Sequence, residues 1–323
     1  MKQKRIMKIA MAPLEGITTY VFRNAYNKYY GGVDRYFTPF LTASHLKGRE
    51  LREVHPDNNK GLDVVPQILS NDSEQFLVIA EQLAALGYKE VNLNLGCPSG
   101  TVVSKHRGVG MLSDPKELDR FLDGIFEGRE GLEISVKTRI GMEFMFEWED
   151  ILSVYIKYPI NELIIHPRLR NEFYKGEVHL DAYKMAEKLY REKENCQTDF
   201  CYNGDIVDEE SFDRIMGELY PDSSFGDDFH VMIGRGLLMN PNLPNQLKGQ
   251  EASFDKKLFK EFMSEITENY KQEMTSEKQV VMKMKELWLY FAKGLGLSDR
   301  QLKEVLKTSR LADYKAVVQM VLS

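Results

Sequence analysis

Along the first 240 or so residues, runs of four to seven mainly apolar residues alternate with helical patterns. Eight runs predict strands: Ile6–Ala12, Arg35–Thr38, Val64–Ile68, Glu90–Leu95, Glu133–Thr138, Glu162–His166, Thr198–Tyr202 and His230–Ile233. The stretches between them are amphipathic. Ser73–Leu86 places Phe76, Leu77, Ile79, Ala80, Leu83 and Ala84 on one side, opens on Ser73 as an N-cap and stops at Gly87. Asp114-Pro115 opens another helix that runs through Phe126. Eight such units in about 240 residues predict a (β/α)8 TIM barrel over residues 1–247. A doubly wound sheet is the alternative, but no Gly-x-Gly-x-x-Gly follows the first strand. After Leu247 the strand pattern stops. Lys248-Gly249-Gln250 reads as a linker, and Phe254–Met274, Lys278–Lys293, Ser298–Thr308 and a short segment ending near Leu322 read as helices broken around Gly294 and Gly296. Residues 248–323 are therefore expected to be a small C-terminal helical domain, small for independent folding.

Polar residues collect at the ends of the predicted strands. Strand one ends in Ala12-Pro13-Leu14-Glu15-Gly16, and strand three carries Gln67. Strand four ends in Asn94-Leu95-Gly96-Cys97, strand five in Lys137-Thr138-Arg139, and strand six in His166-Pro167-Arg168. Strands seven and eight end in Asn203-Gly204-Asp205 and Gly234-Arg235-Gly236. In a barrel all of these converge on one mouth, where active sites form. Cys97 lies beyond the apolar run, in a Gly/Pro turn, where a thiol doing chemistry belongs; a small residue filling a turn is the other reading. Glycines after strands seven and eight let backbone N–H groups approach a phosphate, and Arg235 adds a fixed cation. Lys137 should point into the mouth, where it needs either an interior carboxylate or an anionic ligand. Beside it, His166 is a candidate for holding the polar edge of a cofactor. Arg139, Arg168 and Tyr174 are also compatible with solvated loops.

Charge modifies this picture only at the end of the chain. With 43 Lys and Arg against 49 Asp and Glu, the net charge is −6, which weighs against a nucleic-acid partner. From Lys278 to Ser323, however, nine Lys and Arg stand against four Asp and Glu, so +5 sits on a remainder of −11. A basic end on an acidic body is compatible with a nucleic-acid partner or with a solvated helical face. Three cysteines (Cys97, Cys196, Cys201) are too few for a disulfide scaffold, and no His/Cys/Asp/Glu set has metal-ligand spacing, so no metal is expected. The basic start Met1-Lys2-Gln3-Lys4-Arg5 precedes only Ile6 to Leu14 and no small-residue cleavage site, so it does not read as a signal peptide. No apolar run reaches the roughly 18 residues of a membrane span. The expectation is a cytoplasmic protein with no membrane partner, compatible with a monomer.

The ordered set of strand-end motifs resembles that of the tRNA-dihydrouridine synthases. It comprises Ala12-Pro13-Leu14-Glu15-Gly16, Asn94-x-Gly96-Cys97-Pro98-Ser99, Gly108-Val109-Gly110-Met111-Leu112, Lys137-x-Arg139-x-Gly141, His166-x-Arg168, Asn203-Gly204-Asp205-Ile206 and Ile233-Gly234-Arg235-Gly236. The resemblance runs from about residue 7 to 245, and the helical tail fits the family's plan. It implies reduction of the C5=C6 bond of selected tRNA uridines with FMN as cofactor and NADPH, or NADH, as reductant. It further implies that Lys137, His166, Gln67 and the Pro13–Leu14 backbone contact the flavin. Asn203, Gly204, Asp205, Gly234 and Arg235 would hold its phosphate. Cys97 would be the proton donor, Asn94, Arg139 and Tyr174 would hold the uracil, and the tail would grip the tRNA.

The chain departs from the family pattern in places. Leu14 stands where many members have methionine, and Pro167 where glycine is common. Lys105-His106-Arg107 makes the loop after Cys97 bulkier and more basic, and an acidic insert contains Asp222, Asp227 and Asp228. Two other functions fit parts of the sequence. One is an FMN barrel oxidoreductase acting on a free pyrimidine, like dihydroorotate dehydrogenase, which leaves the basic tail without a task. The other is a non-catalytic RNA-binding barrel, against which Cys97, Lys137 and His166 count.

Overall fold

A computed structural model describes residues 7–194, 196–221 and 229–322. Ile6 and the acidic insert with Asp222, Asp227 and Asp228 lie outside the described residues. Nine strands form one parallel sheet: β1 (Met7–Met11), β2 (Arg35–Phe37), β3 (Val64–Val65), β4 (Gln67–Ile68), β5 (Glu90–Leu95), β6 (Glu133–Arg139), β7 (Glu162–His166), β8 (Asp199–Tyr202) and β9 (Phe229–Ile233). Their order is β3-β2-β1-β9-β8-β7-β6-β5-β4.

The ninth strand arises because the predicted strand Val64–Ile68 is split at Pro66, which has no N–H to give to a ladder. Its first half pairs with β2 (Tyr36 opposite Val64) and its second with β5 (Gln67 opposite Asn92). The two ends of the sheet are thus halves of one segment, and the barrel closes through it. Thr38 Oγ1 takes the Gln67 N–H at 3.0 Å, and the Pro66 carbonyl accepts from Asn92 N at 2.8 Å.

Period-2 alternation sorts the strand residues onto two faces. Ile9, Met11, Tyr36, Val136, Leu163, Ile165, Tyr202, Val231 and Ile233 belong to the main core beneath the helices. Their neighbours Ala10, Ala12, Phe37, Ile164, Cys201 and Met232, with Val65, form a separate buried cluster on the lumen side. By the same alternation Gln67, Asn92, Asn94, Ser135, Lys137, Arg139 and His166 are lumen residues. The opposite end of the lumen is closed by charge pairs, Arg35 to Glu90 at 2.7 Å and His230 to Glu162 at 2.8 Å.

The helix Ser73–Ala85 is capped by Asp72, not Ser73: its carboxylate accepts from Gln75 N at 3.0 Å. Ser73 instead faces the neighbouring helix Pro115–Gly128, where a Cβ on Gly124 would lie 2.7 Å from its hydroxyl. Asp114 caps that second helix as expected, accepting from Lys116 N and Glu117 N.

The C-terminal helices are Lys256–Glu273, Glu277–Gly294, Asp299–Lys307 and Leu311–Val321, the first three capped by Asp255, Ser276 and Ser298. They do not pack separately. Phe259, Phe262, Trp288 and Phe291 share one core with Phe22 and Tyr26 of the barrel. Phe22 and Phe262 meet edge to face at 5.8 Å, and Tyr270 hydrogen-bonds Thr19 at 2.7 Å. Gly294 ends its helix against the barrel: a Cβ there would lie 1.6 Å from the Met239 carbonyl. No described helix is long and apolar enough to cross a membrane.

Candidate active site at the barrel mouth

A cleft opens at the C-terminal ends of the strands, between the loops after β1, β8 and β9. Pro13, Leu14, Lys137, His166, Tyr174, Asn203, Gly204, Asp205, Gly234 and Arg235 line it, ten of the fourteen residues the sequence singles out. Lys137 reaches it from the lumen face of β6. It makes no ion pair or hydrogen bond among the described residues, and the titratable neighbours acting on it are Arg139, Cys201 and Cys97, not a carboxylate. The interior ion pair that could have explained this lysine is therefore not formed. Burial, reinforced by the Arg139 charge, pushes its pKa down to about 8. It is an amine with an unmet need for an acceptor.

His166, at the end of β7, is held neutral by burial and by the positive charges of Arg139, Lys137, Arg168 and Arg235. Arg168 is not a solvated loop residue. It is fully buried, and its guanidinium forks onto the Asp205 carboxylate, with one arm 3.0 Å from Oδ1 and the other on Oδ2. Arg235 donates to the same carboxylate at 2.9 Å. Burial works to raise the Asp205 pKa, but Arg168 and Arg235 hold it below the ordinary carboxylate range. Tyr174, half exposed, lays its ring over this group, 4.5 Å from the Arg235 guanidinium and 5.4 Å from that of Arg139.

The cleft floor depends on backbone proximity. A Cβ on Gly236 would lie 2.1 Å from the Ile206 carbonyl, so only glycine lets the loops after β8 and β9 touch. Asn203 stitches the same two strands, donating to the Met232 carbonyl at 2.8 Å. Asp205 adopts a positive φ of 27°. We expect Gly236→Ala to cost about 3 kcal/mol, since a backbone carbonyl cannot swing aside as a side chain can. Chemical denaturation checks this, and stability within about 1 kcal/mol of wild type would contradict the close approach. In the β1 loop the Leu14 N–H is already taken by Thr18 Oγ1 at 2.8 Å, and Pro13 has none. These two residues offer the cleft apolar surface and the Pro13 carbonyl.

Gln67 and Asn94 do not line this cleft. They belong to a buried amide ladder. Asn92 donates to Ser135 Oγ (2.9 Å), Gln67 to Asn92 (2.8 Å) and Asn94 to Gln67 (2.7 Å). The Asn94 side-chain oxygen Oδ1 then accepts the N–H groups of Gly96 (3.1 Å) and Cys97 (3.0 Å). The ladder carries the position of the barrel wall to the cysteine turn. From the other side Gly108, at φ 58°, packs so closely that a Cβ would lie 2.9 Å from the Cys97 carbonyl. Burial pushes the Cys97 thiol up from its ordinary value, so at neutral pH it is a protonated thiol.

Arg139 is buried and tied to three carbonyls, those of Gly96 (3.2 Å), Leu169 (2.8 Å) and Phe173 (2.5 Å). It braces the loops after β5 and β7. In the basic loop, Arg107 turns inward to Asn71 (3.1 Å) and Gln75 (3.0 Å), while Lys105 and His106 stay exposed.

Sequence reasoning passed over three features. Arg168 looked like a loop residue because nothing local marks its burial. Asn92 and Ser135 were overlooked, although a polar residue two before Asn94 in an apolar strand was a usable signal. Tyr290, on Glu277–Gly294, interacts electrostatically with Tyr174 and Arg235, a proximity that no local pattern encodes. The same helix docks on the β1 loop through Lys283, which donates to the Gly16 carbonyl. Among the described residues, no group of three or more His, Cys, Asp or Glu side chains could hold a metal.

The sequence model of the family described as dihydrouridine synthase (Dus) matches residues 10–318. A "Probable tRNA-dihydrouridine synthase" of Staphylococcus aureus (strain COL) is 32% identical over 235 residues, 72% of this chain and 68% of the relative. A "Probable tRNA-dihydrouridine synthase 2" of Bacillus subtilis (strain 168) is 29% identical over 242 residues, 72% of this chain and 69% of the relative. An N-acetylneuraminate lyase from Mycoplasma synoviae, a solved structure, covers 98% of this chain and 97% of its own at 12% identity and a TM-score of 0.47, a likeness too low to bear on function.

Proposed function

The chain belongs to the dihydrouridine synthase family, and from that premise we propose that it reduces the C5=C6 bond of particular uridines in tRNA, using FMN and NADPH. The observation that carries the cofactor reading is Lys137. A partly buried amine at the cleft, with no ion pair or hydrogen bond among the described residues, is placed to meet an acceptor on something bound there.

The residues fit FMN. Lys137 and His166 would meet the polar edge of the ring, with Pro13 and Leu14 supplying an apolar surface beside it. The turns at Asn203-Gly204-Asp205 and Gly234-Arg235 would take the phosphate through backbone N–H groups and the Arg235 guanidinium. The Asp205 carboxylate would not itself meet the phosphate; its part is to hold Arg235. Gln67 would act through the amide ladder. When bound, FMN supplies the hydride that adds to C6 of the uracil.

Negative charge then develops at C5 and the C4 oxygen, and this chain's groups deal with it. Cys97, a protonated thiol, would give its proton to C5 as general acid. Arg139 and the remaining N–H of Asn94 would stabilise the enolate oxygen, and Tyr174 would pack on the base. The target uridine must leave its stack to reach the mouth.

Support for an RNA substrate comes from the helix Glu277–Gly294. Lys278, Lys285 and Lys293 share one face of it with the exposed Met282 and Leu289, and these three lysines form no ion pair among the described residues. Lys307, Arg310 and Lys315 are paired with Glu304, Asp313 and Glu268. Arg300 and Lys303 are likewise unpaired among the described residues, so three of the tail's five unpaired cations lie on this one face. A free pyrimidine would give it no task. We expect Lys285→Glu with Lys293→Glu to weaken tRNA binding and to flatten the plot of log affinity against log salt by about two units of slope. An unaltered slope would leave the tail a scaffold and remove the argument for RNA.

A further inference from the structure

Arg168 contacts no candidate ligand position, yet it is the fully buried hub of the mouth. One of its guanidinium nitrogens lies 3.3 Å from His166 Nε2 and 3.0 Å from Asp205 Oδ1, while the other meets Asp205 Oδ2 and the Gly176 carbonyl. A guanidinium has donors only, so Nε2 of His166 must be the acceptor in this contact. An imidazole that accepts at Nε2 carries its single proton on Nδ1. The ring lines the cleft, and Nδ1 has no partner among the described residues.

We infer that Arg168 is a positioning residue that locks His166 as the Nδ1–H tautomer and, through Asp205, fixes Arg235, so that the cleft presents a hydrogen-bond donor to an electron-rich edge of a bound heterocycle. The inference rests on the reading that such a ring occupies this cleft. The groups around the imidazole all act in one direction. Lys137 and Arg139 from β6, Arg168 from its own loop and Arg235 from the loop after β9 bring positive charge. The carboxylate of Asp205 from the loop after β8 is committed to two of them. A second proton on His166 is therefore disfavoured, and the ring's one donor is set by Arg168 alone. Without Arg168, Nε2 loses its donor and Asp205 loses its bidentate partner, so both the tautomer and the placement of Arg235 become free to change.

The test uses the full chain labelled with 15N-histidine and long-range 15N–1H correlation at neutral pH. The chain has six histidines, and the His166 signals are those lost in His166→Asn. The expected pattern is a protonated Nδ1 with an unprotonated Nε2 in the wild type, and a mixture or the opposite tautomer in Arg168→Met. A protonated Nε2 in the wild type, or an unchanged pattern in Arg168→Met, overturns the inference. Should Arg168→Met fail to fold, paired variants at His166 decide. The amide nitrogen of asparagine falls near Nδ1 and that of glutamine near Nε2. His166→Asn should therefore hold flavin about tenfold more tightly than His166→Gln, and the reverse order overturns the assignment. The NMR pattern needs no flavin. A chain that binds none would overturn the function proposed above while the tautomer was still being decided.

Discussion

Cys97→Ala is expected to leave flavin content and NADPH oxidation intact and to lower uridine reduction by about a hundredfold to ten-thousandfold, the range of a lost general acid. Three features concentrate the effect on this atom. The amide ladder from Ser135 to Asn94 holds the Cys97 N–H, and Gly108 presses on its carbonyl, so the turn has one position. Burial keeps the thiol protonated, so the proton is present when needed. The thiol also lies outside the cleft-lining set that would hold the flavin, so removing it spares cofactor binding. Because the thiol is shifted upward, its contribution should persist through neutral pH and fail only as pH rises beyond the ordinary cysteine range. Single-turnover conversion of unmodified tRNA, read by mass, checks this. Unchanged conversion in the variant would remove Cys97 as the acid.

Lys137→Met should have the second largest effect, about a hundredfold to a thousandfold on the rate of flavin reduction, the scale of one pre-organised donor facing developing charge. The pH dependence carries the sharper signature. The free amine titrates at about 8, so it is charged below that pH and neutral above it. A ligand accepting from the ammonium binds best below pH 8 and less well as pH rises through it, since its binding must hold a proton on the amine. The wild-type affinity for flavin should therefore fall above pH 8, and the Lys137→Met profile should be flat there. A variant that keeps the alkaline fall, or normal affinity, assigns the titration to another group.

Much of this site was legible because alternation is a strong constraint. In a parallel strand buried on both sides, Lys137 beside Val136 and His166 beside Ile165 can only face the lumen, and the lumen has one open mouth. Gly236 is readable in a similar way, since the Ile206 carbonyl leaves no room for a Cβ there. What escaped depends on contacts distant in sequence. The burial of Arg168 is decided by Asp205, 37 residues away, and that of Gln67 by its amide partners, 25 and 27 residues on. The cap of Ser73–Ala85 lies one residue earlier than the pattern suggests, at Asp72, with Ser73 packed against Gly124. Net charge was the least informative feature, because most of what matters is which lysines remain unpaired.

The most direct measurement is anaerobic. The purified chain is reduced with NADPH, unmodified tRNA is added, and the visible flavin band is followed. The account predicts a flavin band that bleaches with NADPH and returns with tRNA but not with free uridine or orotate. A reduced flavin that ignores tRNA, or a tRNA-binding chain with no flavin band, would contradict it.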